Sequence, residues 1–160
     1  MKIQNKNSKR FVSKVFQDVF NKYDLMNDVM SLGIHRLWKR KFIYSLNPQR
    51  KTKLLDVASG TGDVAKLYLD KINYNGHAYC LDENKGMLLL NKKKFQKTSN
   101  VKWFCENAEK LPFKDNYFDY YTISFGIRNV ENINSALSEA HRVLKPGGRF
   151  LCLEFSKVEN

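Results

Sequence analysis

Leu54-Leu55-Asp56-Val57-Ala58-Ser59-Gly60-Thr61-Gly62-Asp63-Val64-Ala65 has the pattern of a strand, a turn and a helix start. An apolar run of strand formers reaches an acid, passes a Gly-x-Gly turn and continues into residues fit to start a helix. Glycine leaves the backbone bare and accepts dihedral angles that other residues avoid, so a ligand can lie directly against such a turn. Twenty positions after Gly62 stands Asp82, directly behind a second apolar run, Ala78-Tyr79-Cys80-Leu81. In a nucleotide-binding α/β unit an acid at that place accepts hydrogen bonds from ribose hydroxyls. The chain therefore reads as a binder of a ribose-bearing ligand.

The glycine pattern alone leaves the ligand open, because Gly60 to Ala65 fits the loose dinucleotide fingerprint G-x-G-x-x-G/A. Asp56 and Asp63 flank the glycines, and a carboxylate repels a pyrophosphate. S-adenosylmethionine carries no phosphate, and its sulfonium and amino groups are cationic. The two acids therefore favour S-adenosylmethionine over NAD, with Asp56, Gly60, Gly62 and Asp82 as candidate cofactor contacts. Structural duties stand beside this reading: Asp63 as a helix cap, and Asp56 as a brace accepting backbone N–H groups of the turn.

Outward from the turn, strands and helices alternate. The patterns predict strands near 53–58, 77–82, 101–106, 118–124 and 149–155, and helices near 63–72, 85–95 and 131–145. Lys145-Pro146-Gly147-Gly148 is expected to be a turn leading into the last strand. Repeated βα units imply a doubly wound, mostly parallel sheet whose ligand lies beyond the carboxyl ends of the strands at the switch point. Towards the amino terminus, spacing predicts helices over 11–22 and 35–46. In the second, Trp38, Phe42 and Leu46 share a stripe, Lys39, Arg40 and Lys41 face out, and Asn47-Pro48 ends the helix. The expected organisation is a basic helical segment or lid over 1–50 and a Rossmann-like domain over 51–160.

At 160 residues, with 42% hydrophobic content, the chain is long enough to bury one core and is not a disordered polymer. No apolar run has the length of a membrane span, and no apolar segment of signal type follows Met1. The expected location is the cytoplasm, with peripheral contact at the inner membrane. Cys80, Cys105 and Cys152 all fall in expected strands, which predicts buried reduced thiols. Neither the cysteines nor His35, His77 and His141 have metal-ligand spacing, so no metal is expected. The net charge of +12 is uneven: residues 1–53 hold 13 Lys/Arg against three Asp, and the remainder holds 15 against 13 acids. Such a basic segment suits an anionic membrane surface, and it is also ordinary solvated surface.

Further blocks then fall in order: Lys22-Tyr23-Asp24 with Met26-Asn27-Asp28, Gly33-Ile34-His35-Arg36-Leu37-Trp38-Lys39-Arg40, Asn107-Ala108-Glu109-Lys110-Leu111-Pro112-Phe113, and Ile123-Ser124-Phe125-Gly126-Ile127-Arg128-Asn129-Val130. Arg142-Val143-Leu144-Lys145-Pro146-Gly147-Gly148 running to Leu153-Glu154-Phe155-Ser156 follows. With the glycine turn, the last block resembles class I S-adenosylmethionine methyltransferases in general. The others closely resemble the ubiquinone/menaquinone biosynthesis C-methyltransferase family, over about Lys14 to Lys157.

The resemblance implies methylation of a ring carbon of a polyprenyl benzoquinol or of demethylmenaquinol. It further implies cofactor contacts at Thr61, Asp82, Asn107, Ala108 and Ser124. Carbon is a poor nucleophile until a quinol proton is removed, so a base or a phenolate-stabilising cation is needed. Arg128 is the first candidate, with a structural salt bridge as its competing duty. Asn129 is a second catalytic candidate, and Tyr23, Asn27 and His35 are candidate substrate contacts. A complete domain of this kind continues with a further helix and an antiparallel strand pair. The expectation is therefore a C-terminally incomplete domain whose turnover is weak, with a non-catalytic cofactor-binding module as the alternative. The lipid-tailed quinol is the expected substrate, and self-association or other quinone-biosynthesis proteins are the expected partners. A nucleic-acid methyltransferase is disfavoured, because the Ser124 to Arg128 block lacks an Asn/Asp-Pro-Pro-type amine site.

Overall fold

In a computed structural model that describes residues 34–155, the chain divides into two compact units, Met1–Trp38 and Lys39–Asn160. The expected helix over 11–22, Tyr23 and Asn27 lie outside the described residues. Helix α1 (His35–Leu46) matches its expected span, and Asn47 ends it in a left-handed conformation (φ 46°) just ahead of Pro48. Phe42 and Leu46 are buried on the expected stripe. Lys39 departs from expectation: its ammonium turns in to Asp63, 3.0 Å away, instead of facing out.

The second unit holds β1 (Thr52–Val57), α2 (Asp63–Lys71), β2 (Gly76–Leu81), α3 (Lys85–Lys94), β3 (Val101–Phe104), β4 (Phe118–Ser124), a 3-10 turn (Ile127–Asn129), α4 (Ile133–Val143) and β5 (Leu144–Leu153). The five strands pair in the order β3-β2-β1-β4-β5, all parallel. The chain winds from β1 to one edge and returns to β1's other side as β4. The switch point therefore lies between the carboxyl ends of β1 and β4, where Asp56 to Gly62 and Ser124 to Asn129 fall.

Side chains alternate across each strand, so β1 sends Leu54 to one face and Leu55 and Val57 to the other. The first face packs Phe42, Ile43, Leu46, Ala65, Tyr68 and Leu69. The second packs Phe118, Tyr121, Ile123, Ala136, Ala140 and Val143. Burying both faces explains why β1, β2 and β4 read as near-continuous apolar runs.

Several boundaries differ from the sequence reading. Helix α4 stops at Val143, and β5 begins at Leu144 instead of Arg149. The turn residues are still expelled from the ladder. Phe118 pairs Leu144 while Tyr120 pairs Arg149, so Lys145-Pro146-Gly147-Gly148 bulges within the strand, with Gly147 at φ 78°. Strand β3 ends at Phe104, which leaves Cys105 beyond it. The expected burial of all three thiols is corrected as well: Cys80 is buried, while Cys105 and Cys152 are exposed, and all three are free.

Candidate functional site

The turn after β1 is held by both backbone and side-chain hydrogen bonds. The Gly62 amide donates to the Ser59 carbonyl (2.8 Å), and the Ser59 amide donates to the Leu81 carbonyl of β2 (3.0 Å). Gly60 and Gly62 adopt φ of 51° and 76°, the left-handed region that favours glycine. Gly62 also serves as the N-cap of α2, so the expected capping role of Asp63 is corrected: no side chain caps this helix. Asp63 instead lies between two lysines, 3.0 Å from Lys39 and paired with Lys94. Its partial burial favours the neutral acid, but the two ammonium groups outweigh that and hold it well below the ordinary carboxylate range.

Asp82 binds the turn directly. One carboxylate oxygen accepts the Gly60 amide (2.8 Å) and the other accepts the Asn84 amide (2.8 Å). Asn84 then caps α3, its Oδ1 accepting the amides of Gly86 and Met87. The candidate ribose acid is thus a brace in its own right, and each oxygen keeps a further lone pair.

Asp56 occupies the middle of the first face, in register with Thr122 on one side and Cys80 on the other. It is fully buried, and the Thr122 hydroxyl donates to its Oδ1 at 2.8 Å, while Oδ2 has no hydrogen-bond partner. The brace to backbone amides expected of Asp56 is therefore replaced by a cross-strand hydroxyl. Burial, partly offset by Thr122, pushes its pKa up to about 7. These two carboxyls correct the charge argument as well. With Asp63 offset by two lysines and the charge of Asp56 reduced by burial, the two acids repel a pyrophosphate less than their number implies.

A pH dependence follows from Asp56. Its folded-state value lies above the unfolded one near 3.8, so the stability it contributes is fully present below pH 3.8 and is lost as pH rises through about 7. Asp63 acts in the opposite sense, and its contribution is already complete above pH 5. Between pH 5 and 8 the parent chain is expected to lose on the order of 3 kcal/mol more than Asp56→Asn, as read by urea unfolding at both pH values. Equal losses in the two proteins would contradict this assignment.

Several residues that support the turn were not singled out from sequence. Asn91 of α3 is fully buried and donates from Nδ2 to the Gly60 carbonyl (3.3 Å), and its Oδ1 has no partner. It shares a buried stripe with Leu88 and Phe95, and a polar residue on such a stripe was a readable signal. Gly126 packs so closely on Ala58, itself at φ 51°, that an added Cβ would collide with the Ala58 methyl. That contact locks the end of β4 onto the end of β1.

Of the remaining candidates, Thr61 is half-buried within the turn, and its carbonyl accepts the Lys94 ammonium at 3.4 Å. Asn107 follows β3, and its Oδ1 accepts the Glu109 amide (2.6 Å); Ala108 beside it is buried. Ser124 closes β4 in register with Leu153. Arg128 sits in the 3-10 turn with its guanidinium 2.9 Å from Glu154 Oε1 and 5.5 Å from the Phe155 ring. The salt bridge foreseen as the competing role of Arg128 is thus formed. Asn129 is exposed beside it. His35 opens α1 and is buried, but it belongs to the unit that ends at Trp38. Among the described residues, no group of His, Cys, Asp or Glu is placed to hold a metal, and no helix is long and apolar enough to cross a membrane.

A parallel sheet of order 3-2-1-4-5 with a glycine turn at its switch point, braced by the acid after β2, defines the class I methyltransferase fold. Solved structures agree. The YcgJ protein of Bacillus subtilis is 27% identical with a TM-score of 0.68, over 75% of this chain and 50% of that one. A S-adenosylmethionine-dependent methyltransferase of Aquifex aeolicus shares the fold with a TM-score of 0.69 at 22% identity, over 76% and 66%. The chain belongs to the ubiE/COQ5 methyltransferase family, whose model matches residues 2–160. It is 53% identical to the ubiquinone/menaquinone biosynthesis C-methyltransferase of Rickettsia typhi, over 92% of this chain and 62% of that protein. It is 49% identical to the mitochondrial 2-methoxy-6-polyprenyl-1,4-benzoquinol methylase of Dictyostelium discoideum, over 99% and 61%. The chain therefore spans about three-fifths of the length of these relatives.

Proposed function

We propose that this chain binds S-adenosylmethionine at the glycine turn and serves C-methylation of a lipid-tailed quinol, a polyprenyl benzoquinol or demethylmenaquinol. The observation that carries the reading is the turn itself: two left-handed glycines at the switch point, with the Gly60 amide fixed by Asp82, in a chain of this family. The residues fit the cofactor. Gly60, Thr61 and Gly62 offer bare backbone, and Asp82 keeps lone pairs for ribose hydroxyls. Asp56 is buried behind the turn with one oxygen unpartnered, and a cationic amino group bound at the turn would favour its charged form. Asn107 and Ala108 at the end of β3 suit the adenine edge and face, and Ser124 completes the set at the end of β4.

Bound there, S-adenosylmethionine supplies a methyl group already activated on a sulfonium. The protein's task is then to position the acceptor, exclude water and stabilise the quinol oxygen as its proton leaves. Arg128 suits the last role: Glu154 holds the guanidinium in place, and its side chain keeps 43% exposure, leaving N–H donors for an oxyanion. Asn129, exposed next to Arg128, is a second proposed contact for the quinol oxygen. Peripheral contact with an anionic membrane would deliver a substrate of this kind.

Transfer of a labelled methyl group to a prenylated demethylquinol carried in phosphatidylglycerol or phosphatidylcholine vesicles tests the reading. Product that depends on Arg128, and forms faster on the anionic vesicles, is expected. Saturable binding of cofactor with no product on either vesicle would leave the non-catalytic binding module as the function of this chain.

A further inference from the structure

The end of the sheet away from the glycine turn carries a second polar cluster. Lys53 lies at the start of β1, next to Thr52, and Lys102 lies in β3, while Tyr79 of β2 stands in register with Lys102. Four residues lie between Lys53 and Ala58, about 16 Å along the chain, which places the Lys53 end of this cluster away from the turn. The Lys53 ammonium lies 4.0 Å from the centroid of the Tyr117 ring, and Lys114 lies 5.5 Å from the same ring. Lys102 lies 5.3 Å from the Tyr79 ring, and the two phenol oxygens are 2.9 Å apart.

Three ammonium groups are thus gathered on one hydrogen-bonded tyrosine pair. None of them pairs with a carboxylate among the described residues. The nearby acids are already engaged. Asp119 accepts the Lys53 backbone amide and pairs with Lys145, and Asp115 pairs with Arg142. The tyrosine pair brings two hydroxyl hydrogens and spends one between its members, so the other is left to donate outward. The donation from Tyr79, opposed in part by burial and reinforced by Lys53 and Lys102, holds the Tyr117 phenol below its ordinary value, as expected beside unneutralised cations. A cluster rich in cations and hydroxyl donors, with its neighbouring acids already paired, suits an oxyanion.

We propose that Lys53, Lys102 and Lys114, with the hydroxyl pair of Tyr79 and Tyr117, form a binding site for a phosphoryl oxyanion, distinct from the glycine turn. The ligand is a phosphate group, free or borne on a lipid headgroup. It approaches the exposed Lys102 and Lys114 from solvent, while Lys53 and the hydroxyl pair form the floor.

The test is a titration of the isotopically labelled chain with inorganic phosphate in chloride at constant ionic strength, followed by amide resonances. Saturable shifts centred on Lys53, Lys102, Lys114 and Tyr117 are expected. The double variant Lys102→Gln/Lys114→Gln should bind at least fivefold more weakly, and Lys93→Gln/Lys97→Gln, with the same charge loss on another surface, should bind as the parent does. Sedimentation with phosphatidylglycerol vesicles assigns the source. Dependence on Lys102 and Lys114 identifies a lipid headgroup, and phosphate binding without that dependence identifies a free phosphate. Absence of saturable shifts at these residues, or equal weakening in both double variants, would overturn the proposal.

Discussion

Gly62→Ala is expected to destabilise the chain by about 2–4 kcal/mol and to weaken cofactor binding by more than tenfold. Two effects add. At φ 76° an alanine Cβ is strained by roughly 1–2 kcal/mol. That Cβ would also stand 2.8 Å from Cγ and Nδ2 of Asn91, which is fully buried and cannot move without releasing its bond to the Gly60 carbonyl. A buried amide left without partners costs about 1–3 kcal/mol. Urea unfolding of Gly62→Ala, Asn91→Ala and the double variant separates the contributions. The double variant should be less destabilised than the sum of the singles, because removing the amide relieves the collision and leaves only the backbone strain. A Gly62→Ala chain within about 0.5 kcal/mol of the parent, a change typical of a neutral surface site, would mean that the turn is not held as described.

Asp82→Ala is expected to weaken binding of S-adenosylmethionine or its demethylated product at least tenfold. The carboxylate is the candidate acceptor for the ribose, and hydrogen bonds to charged groups contribute about 1.5–3 kcal/mol. The same substitution also frees the Gly60 and Asn84 amides, so the turn and the start of α3 loosen together. Asp82→Asn keeps one acceptor oxygen and should fall between the two. If affinity were unchanged in Asp82→Ala while α3 lost protection from hydrogen exchange, Asp82 would be a brace alone.

The sheet was legible in the sequence because its central strands are buried on both faces and so appear as apolar runs between glycine-rich turns. Order along the chain then placed Asp56, Asp82, Asn107 and Ser124 at strand ends without any side-chain geometry. The last strand was harder to bound. Lys145-Pro146-Gly147-Gly148 carries the signal of a turn, and a bulge uses the same residues for the same backbone reasons. Charge was the least legible layer. Asp56 and Asp63 are identical in sequence terms, yet burial raises the pKa of one against the donation from Thr122, while Lys39 and Lys94 fix the charge of the other. Those partners lie 24 to 66 positions away, beyond any local pattern. The same holds for Arg128, whose partner Glu154 is 26 positions on, across the β4–β5 pair.

Titration calorimetry of the 160-residue chain with S-adenosylhomocysteine and, separately, with NAD decides whether the glycine turn is a S-adenosylmethionine site. Saturable binding of S-adenosylhomocysteine, lost or weakened at least tenfold in Asp82→Ala, is expected, with no saturable binding of NAD to either protein. Saturable NAD binding that Asp82→Ala abolishes would contradict that assignment.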